Sequence, residues 1–223
     1  MLKYCILILF TINNFIINNI AFAVDSENIN NWIINNTQKY TLNTNVSQII
    51  FIKYIEKYSA KAMLYEKQVI NNRHSWIKTL ECPSFVGKNG INKTKEGDKK
   101  TPTGDFGIIM AFGIKPNPGT TLNYLQINNN HYCCNDKHYY NKIIDISKYK
   151  HKCTGEHLIK FNPEYNYAFF IDYNKECILN KGSAIFFHCT GKSPYTAGCI
   201  AISEKNMLFI LKKLQPGARI IIN

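Results

Sequence analysis

Two residues in the C-terminal part of the chain have the types and spacing of a nucleophilic pair. His188 closes the apolar run Ala184-Ile185-Phe186-Phe187, and Cys199 follows 11 positions later inside Thr196-Ala197-Gly198-Cys199-Ile200. An imidazole that takes the thiol proton turns sulfur into a strong nucleophile, and the imidazolium so formed stabilises the thiolate, lowering a cysteine pKa from about 8.5. Gly198 has no Cβ, so a carbonyl substrate can approach the backbone there, where the N–H groups of residues 198 and 199 would form an oxyanion hole. The chemistry this pattern allows is covalent attack on a carbonyl. Spacing alone describes equally well a buried cysteine and a core histidine.

The elements that must position this pair are mostly strands. From Ile49 onward, Ile49 to Ile55, Ala60 to Tyr65, Ser75 to Leu80, Phe106 to Phe112, Tyr167 to Tyr173, Ala184 to His188 and Arg219 to Ile222 are short β-branched and aromatic runs separated by polar connections. Glycine and proline punctuate them, as in loops built on a β scaffold. One helix is legible: Ser203 is a good N-cap, Glu204 lies in the first turn, Met207, Leu208, Leu211 and Leu214 share a face, and Pro216-Gly217 stops it. No linker divides residues 46–223, which read as one domain after an Asn/Thr-rich, aperiodic leader at 24–45.

The N-terminus speaks to compartment. Lys3, the apolar runs Ile6 to Phe10 and Phe15 to Ile17, and Ala21-Phe22-Ala23 compose a secretory signal over residues 1–23. The alternative, an uncleaved anchor, is interrupted by Asn13, Asn14, Asn18 and Asn19. Removing Cys5 with the signal leaves seven of the eight cysteines, an odd number, so at least one thiol stays unpaired within an exported monomer. The chain carries 27 Lys+Arg against 15 Asp+Glu, a net charge of +12 that favours anionic partners such as cell-wall polymer. The basic residues are scattered and no nucleic-acid-binding signature is present, so nucleic acid is not expected as a partner. His131, Cys133, Cys134, His138, His151, Cys153 and His157 are dense enough to invite a zinc reading, but they contain no C-x-x-C. The expectation is no metal, no cofactor, and a disulfide from Cys133 or Cys134 to Cys153 or Cys177. Cys199 is expected to stay free, with Cys189 on the face of its strand opposite His188.

Lys100-Thr101-Pro102-Thr103-Gly104-Asp105-Phe106, taken with the His188 and Gly198-Cys199 elements, resembles the L,D-transpeptidase catalytic domain, or YkuD domain. The likeness is closest to the branch with an extended first motif, here Val86-Gly87-Lys88-Asn89-Gly90 followed by Lys95-Glu96-Gly97-Asp98-Lys99. Tyr140-Asn141, Glu156-His157-Leu158, Tyr173-Asn174 and the run Gly182 to His188 match in order. The resemblance implies a mainly β domain, a curved sheet or sandwich with one or two packed helices, acting on peptidoglycan stem peptides. It implies Cys199 as nucleophile, His188 as general base, and the backbone at Cys189 as orienter of the imidazole. The Thr101-Pro102-Thr103-Gly104 turn reads as structural.

The sequence departs from that family where Ala197 and Ala201 stand at positions often held by histidine and by arginine or asparagine, and the loop from Cys189 to Ala197 is short. These departures bear on the acceptor, amine or water, rather than on the acyl-enzyme chemistry. Ser183 and Thr196 are candidates to hydrogen-bond a substrate backbone, or to serve a strand edge and a turn. Glu156 and His157 read either as substrate contacts in the cleft or as a surface hydrogen-bonding pair. A wall-binding module without catalysis is the alternative from a different class, and the presence of both His188 and Cys199 argues against it.

Overall fold

The computed structural model describes residues 27–149 and 151–223, so the segment expected as a signal, 1–23, lies outside them. The chain forms two units, Met1–Asn43 and Thr44–Asn223. In the first, residues 27–41 form a helix, α1, where an aperiodic leader was expected. Its polar side chains hydrogen-bond back into the helix: Asn36 Nδ2 donates to the Trp32 carbonyl at 2.8 Å, and Thr37 Oγ1 to that of Ile34 at 3.0 Å. Asn and Thr usually disfavour helix interiors by competing for the backbone, and here that competition is resolved inside the helix.

The second unit is built on a nine-stranded sheet. Its strands in chain order are β1 (Gln48–Glu56), β2 (Ser59–Ile70), β3 (Arg73–Phe85), β4 (Gly104–Gly113), β5 (Tyr124–Gln126), β9 (Ala168–Ile171), β10 (Phe186–Cys189), β11 (Ile200–Ile202) and β12 (Arg219–Ile222). They are arranged β12-β1-β2-β3-β11-β10-β9-β4-β5, and β4 also pairs with β12. The first half of β4 pairs with β12 (Gly107 opposite Arg219) and its second half with β9 (Ala111 opposite Phe169), so the sheet curls until it meets itself. A smaller sheet, β7-β6-β8, is formed by β6 (His131–Cys134), β7 (Lys142–Asp145) and β8 (Glu156–His157), with a single-turn α2 (Ile146–Tyr149) after β7.

Two apolar clusters lie against the sheet. The larger joins Ile50, Ile52, Leu64, Phe187, Ile200 and Ile202 to Met207, Ile210 and Leu211 of α3 (Glu204–Lys213). The Ser203 hydroxyl caps that helix by accepting from the Asn206 N–H. The smaller joins Phe112, Phe170, Phe186, Tyr165, Leu158 and Cys133, and Cys199 belongs to it. Each of the seven expected strands is present. The one at the histidine starts two residues late, because Ala184 has φ +53° and cannot lie in a strand. β5 to β8 and β11 are two to four residues long, too short to show an alternating pattern.

Candidate active site

Parallel pairing of β10 with β11 brings the two candidate residues to one face. Phe187 sits opposite Ile200 and His188 opposite Ala201, so Cys199, one residue before β11, falls beside Phe186. Side chains alternate along each strand. Phe186 and Cys199 therefore share the smaller cluster, while Phe187, Cys189, Ile200 and Ile202 enter the larger one on the other side. Cys189 thus faces away from His188 and donates its thiol to the Tyr167 carbonyl at 3.3 Å. Beneath the site Phe186 makes edge-on ring contacts with Phe112, Tyr165 and Phe170, and Tyr165 meets the His188 ring at 5.5 Å. A floor of interlocked rings allows β10 little freedom.

His188 is buried, and its Nδ1 lies 2.7 Å from the Cys189 carbonyl oxygen. A carbonyl only accepts, so Nδ1 carries the proton and Nε2 is the basic nitrogen. Burial lowers the imidazole pKa, which this hydrogen bond partly offsets. The Cys199 thiol donates to the Ala184 carbonyl at 3.1 Å, and its sulfur accepts from the Phe186 N–H at 3.3 Å. Burial pushes this thiol up to about 12, Glu156 adds to the rise, and the Phe186 N–H and Lys93 oppose it. This corrects the expectation of a thiol lowered below its ordinary pKa. In a buried site neither ion of a thiolate–imidazolium pair is solvated, so burial disfavours the charged form of each.

The Cys199 backbone is held by two threonines. The Cys199 carbonyl accepts from Thr196 Oγ1 at 2.7 Å and from Thr101 Oγ1 at 3.1 Å, and Thr101 Oγ1 in turn accepts from the Gly87 N–H at 2.8 Å. The turn read as structural therefore touches the Cys199 backbone directly. Gly198 has φ +148°, and a Cβ there would lie 2.9 Å from the Lys100 carbonyl oxygen. Its N–H donates to Thr196 Oγ1 at 3.1 Å, so in this conformation it does not stand ready as an oxyanion donor, and the Thr196 hydroxyl serves the loop rather than a substrate.

Cys199 lies where two clefts meet. The larger, of about 560 Å³, is lined by Lys93, Glu96, Glu156, Ser183, Gly198 and Cys199 among others; the smaller, of about 210 Å³, by His188, Tyr165, Glu164, Ala197, Ala201 and Cys199. Glu156 lines both, and its carboxylate accepts from the Tyr165 hydroxyl at 2.6 Å. Burial raises its pKa, Tyr165 opposes this and nearby Glu96 adds to it. Ser183 donates to Glu96 Oε2 at 2.7 Å. His157 lines only the larger cleft, with its ring stacked on Tyr132 and Nε2 donating to the Asn129 carbonyl. So Glu156 and Ser183 are cleft groups, while His157 is mostly taken up by its own sheet.

Several contributors escaped the sequence reading. Asn141 holds Ala184 in its unusual conformation: Oδ1 accepts from the Ala184 N–H, and Nδ2 donates to the carbonyls of Tyr173 and Asn174. The ordered fragments Tyr140-Asn141 and Tyr173-Asn174 were the available signal. Of the seven cysteines after residue 23, Cys134 and Cys153 form a disulfide, and Cys82, Cys133, Cys177, Cys189 and Cys199 are free. Cys134, Asp136 and His151 cluster closely enough for a metal, but that sulfur is spent in the disulfide and the His151 Nε2 lies 2.9 Å from Asp136.

The family model for the L,D-transpeptidase catalytic domain, YkuD, matches residues 48–222. No curated protein matches the chain.

Proposed function

We propose, for a chain that belongs to the L,D-transpeptidase catalytic-domain family, that it is an exported cysteine acyltransferase of the periplasm or cell wall that joins peptidoglycan stems by 3-3 cross-links. Its substrate is a tetrapeptide stem, cleaved between residues three and four. As Cys199 Sγ approaches the carbonyl carbon of residue three, His188 Nε2 takes the thiol proton, the C–S bond forms and the carbonyl π pair moves onto oxygen. Collapse restores the carbonyl, breaks the C–N bond and gives the proton from His188 to the departing nitrogen. A D-amino acid leaves and a thioester remains on Cys199. The amine of a second stem then attacks the thioester, passes a proton to His188 and returns the sulfur to its thiol form. No metal or cofactor enters these steps.

The observation that carries this reading is the position of Cys199 in the lining of two adjoining clefts. The larger has the volume for a peptide donor. The smaller admits the reacting end of an acceptor beside the His188 side chain, where Ala197 and Ala201 leave room. The net charge of +12 supports residence on anionic wall polymer. The same small cleft, of about 210 Å³, is large enough to admit water, which favours a second reading, an L,D-carboxypeptidase that trims tetrapeptides to tripeptides. Mass spectrometry of muropeptides incubated with the enzyme decides: 3-3 dimers support transfer, tripeptide monomers alone support hydrolysis, and unchanged tetrapeptides contradict both.

A further inference from the structure

Acyl transfer through a buried thiol needs a donor for the carbonyl oxygen as it becomes negative. Of the two expected, the N–H groups of Gly198 and Cys199, the first is occupied by Thr196. A cation lies on that same side. Lys93 lines the larger cleft with Gly198 and Cys199, and its Nζ is 3.6 Å from the point a Cβ would occupy on Gly198. Its side chain is only 2% exposed, so the ammonium has surrendered its hydration. Among the described residues that ammonium makes one hydrogen bond, 2.8 Å to Asp98 Oδ1. An ammonium has three donors, so two remain for a ligand.

Asp98 fixes where those donors are. Its Oδ1 also accepts from the Lys100 N–H at 3.0 Å, and its Oδ2 accepts from the N–H groups of Thr94 and Lys95 at 2.8 and 3.1 Å. The loop so tied leads directly into Thr101, which holds the Cys199 carbonyl. The other charged groups on this cleft are Glu96 and Glu156, of the wrong sign to stabilise an anion, and Lys160, whose side chain reaches solvent.

We propose that Lys93 is a further catalytic residue whose ammonium, held by Asp98, donates to the oxyanion of the tetrahedral intermediate and stabilises the adjacent Cys199 sulfur as it loses its proton. This rests on the acyl-transfer reading above. It is consistent with Lys93 being the one side chain that lowers the Cys199 pKa. Removing one preorganised donor of this kind costs about 100-fold in kcat.

Two readouts test it. The double variant Lys93→Met with Asp98→Asn removes both charges, and neutral replacement of a buried pair leaves most proteins folded. Its kcat for release of the terminal D-amino acid should fall about 100-fold with KM within roughly threefold. Alkylation of Cys199 by iodoacetamide at about pH 9 should slow about three- to tenfold, because a lost cation raises the thiol pKa. Lys93→Arg, which keeps a charge, should recover part of both. A folded double variant with wild-type kcat and an unshifted alkylation profile overturns the assignment. Should the wild type release no D-amino acid, the acyl-transfer reading falls, while alkylation still decides whether Lys93 acts on the thiol: an unmoved profile refutes it and a slower one upholds it.

Discussion

Replacing Gly198 with alanine is the sharpest test of how the nucleophile is held. At φ +148° an L-residue is strained, at a cost of roughly 1–3 kcal/mol. The new Cβ would also stand 2.9 Å from the Lys100 carbonyl oxygen and 3.3 Å from Ile185 Cδ1. The first contact is with backbone, which cannot rotate away, so the strand and the Thr101 turn must part, adding roughly 1–3 kcal/mol. A total of about 4 kcal/mol lowers the Tm of a chain this size by roughly 8–16 °C. Parting them by even about 1 Å displaces Cys199 and costs about 100-fold in kcat. The control is Gly119→Ala, where φ is +96° but nothing lies within 4 Å of the new Cβ. Differential scanning calorimetry and D-amino acid release should show a smaller Tm loss and unchanged kcat in the control. A Gly198→Ala protein that melts and turns over like the control would refute the packing argument.

Other outcomes follow from the same contacts. Thr101→Val deletes a hydroxyl that accepts from Gly87 and donates to Cys199, so unfolding should lose roughly 2–3 kcal/mol and kcat should drop; denaturant melts check the first and turnover the second. Glu156 has a raised folded pKa, so its contribution to stability is full in acid, below its ordinary pKa, and is lost as pH rises through the folded value. Glu156→Gln should therefore raise the Tm at about pH 7 and change it little at about pH 4, and a calorimetric pair showing no such difference contradicts the buried-carboxyl picture. His188 has a lowered folded pKa, so the unfolded chain binds its proton first and stability falls as pH drops below about 6.5; His188→Gln should flatten that slope in urea melts.

What the sequence disclosed was whatever is local or periodic. The long strands β1 to β4 carry β-branched and aromatic runs extended enough to be seen, and α3 carries its cap at Ser203 and its stop at Pro216 in plain view. That His188 and Cys199 would come to one face was foreshadowed by their types and by the glycine beside the thiol, and the pairing of β10 with β11 brings them there. The thiol's ionisation was misread, because sequence shows that a histidine is near in number but not that burial disfavours both ions. The Thr101 to Cys199 hydrogen bond joins residues 98 positions apart, which only the closed sheet brings together. Nothing local in the sequence marks Lys93 and Asp98 as buried, and their burial follows from the fold of that loop against Gly198. α1 was hidden by Asn and Thr, whose side chains bond within the helix.

The central claim is that Cys199 becomes acylated. Incubating the protein with a disaccharide tetrapeptide, quenching in acid and mapping its cysteines by mass spectrometry measures this directly. The expected result is a thioester on Cys199 with the mass of the tripeptide stem, release of one D-amino acid per adduct, and loss of both in Cys199→Ala. An adduct on Cys133 or another cysteine, or undiminished turnover by Cys199→Ala, would contradict it.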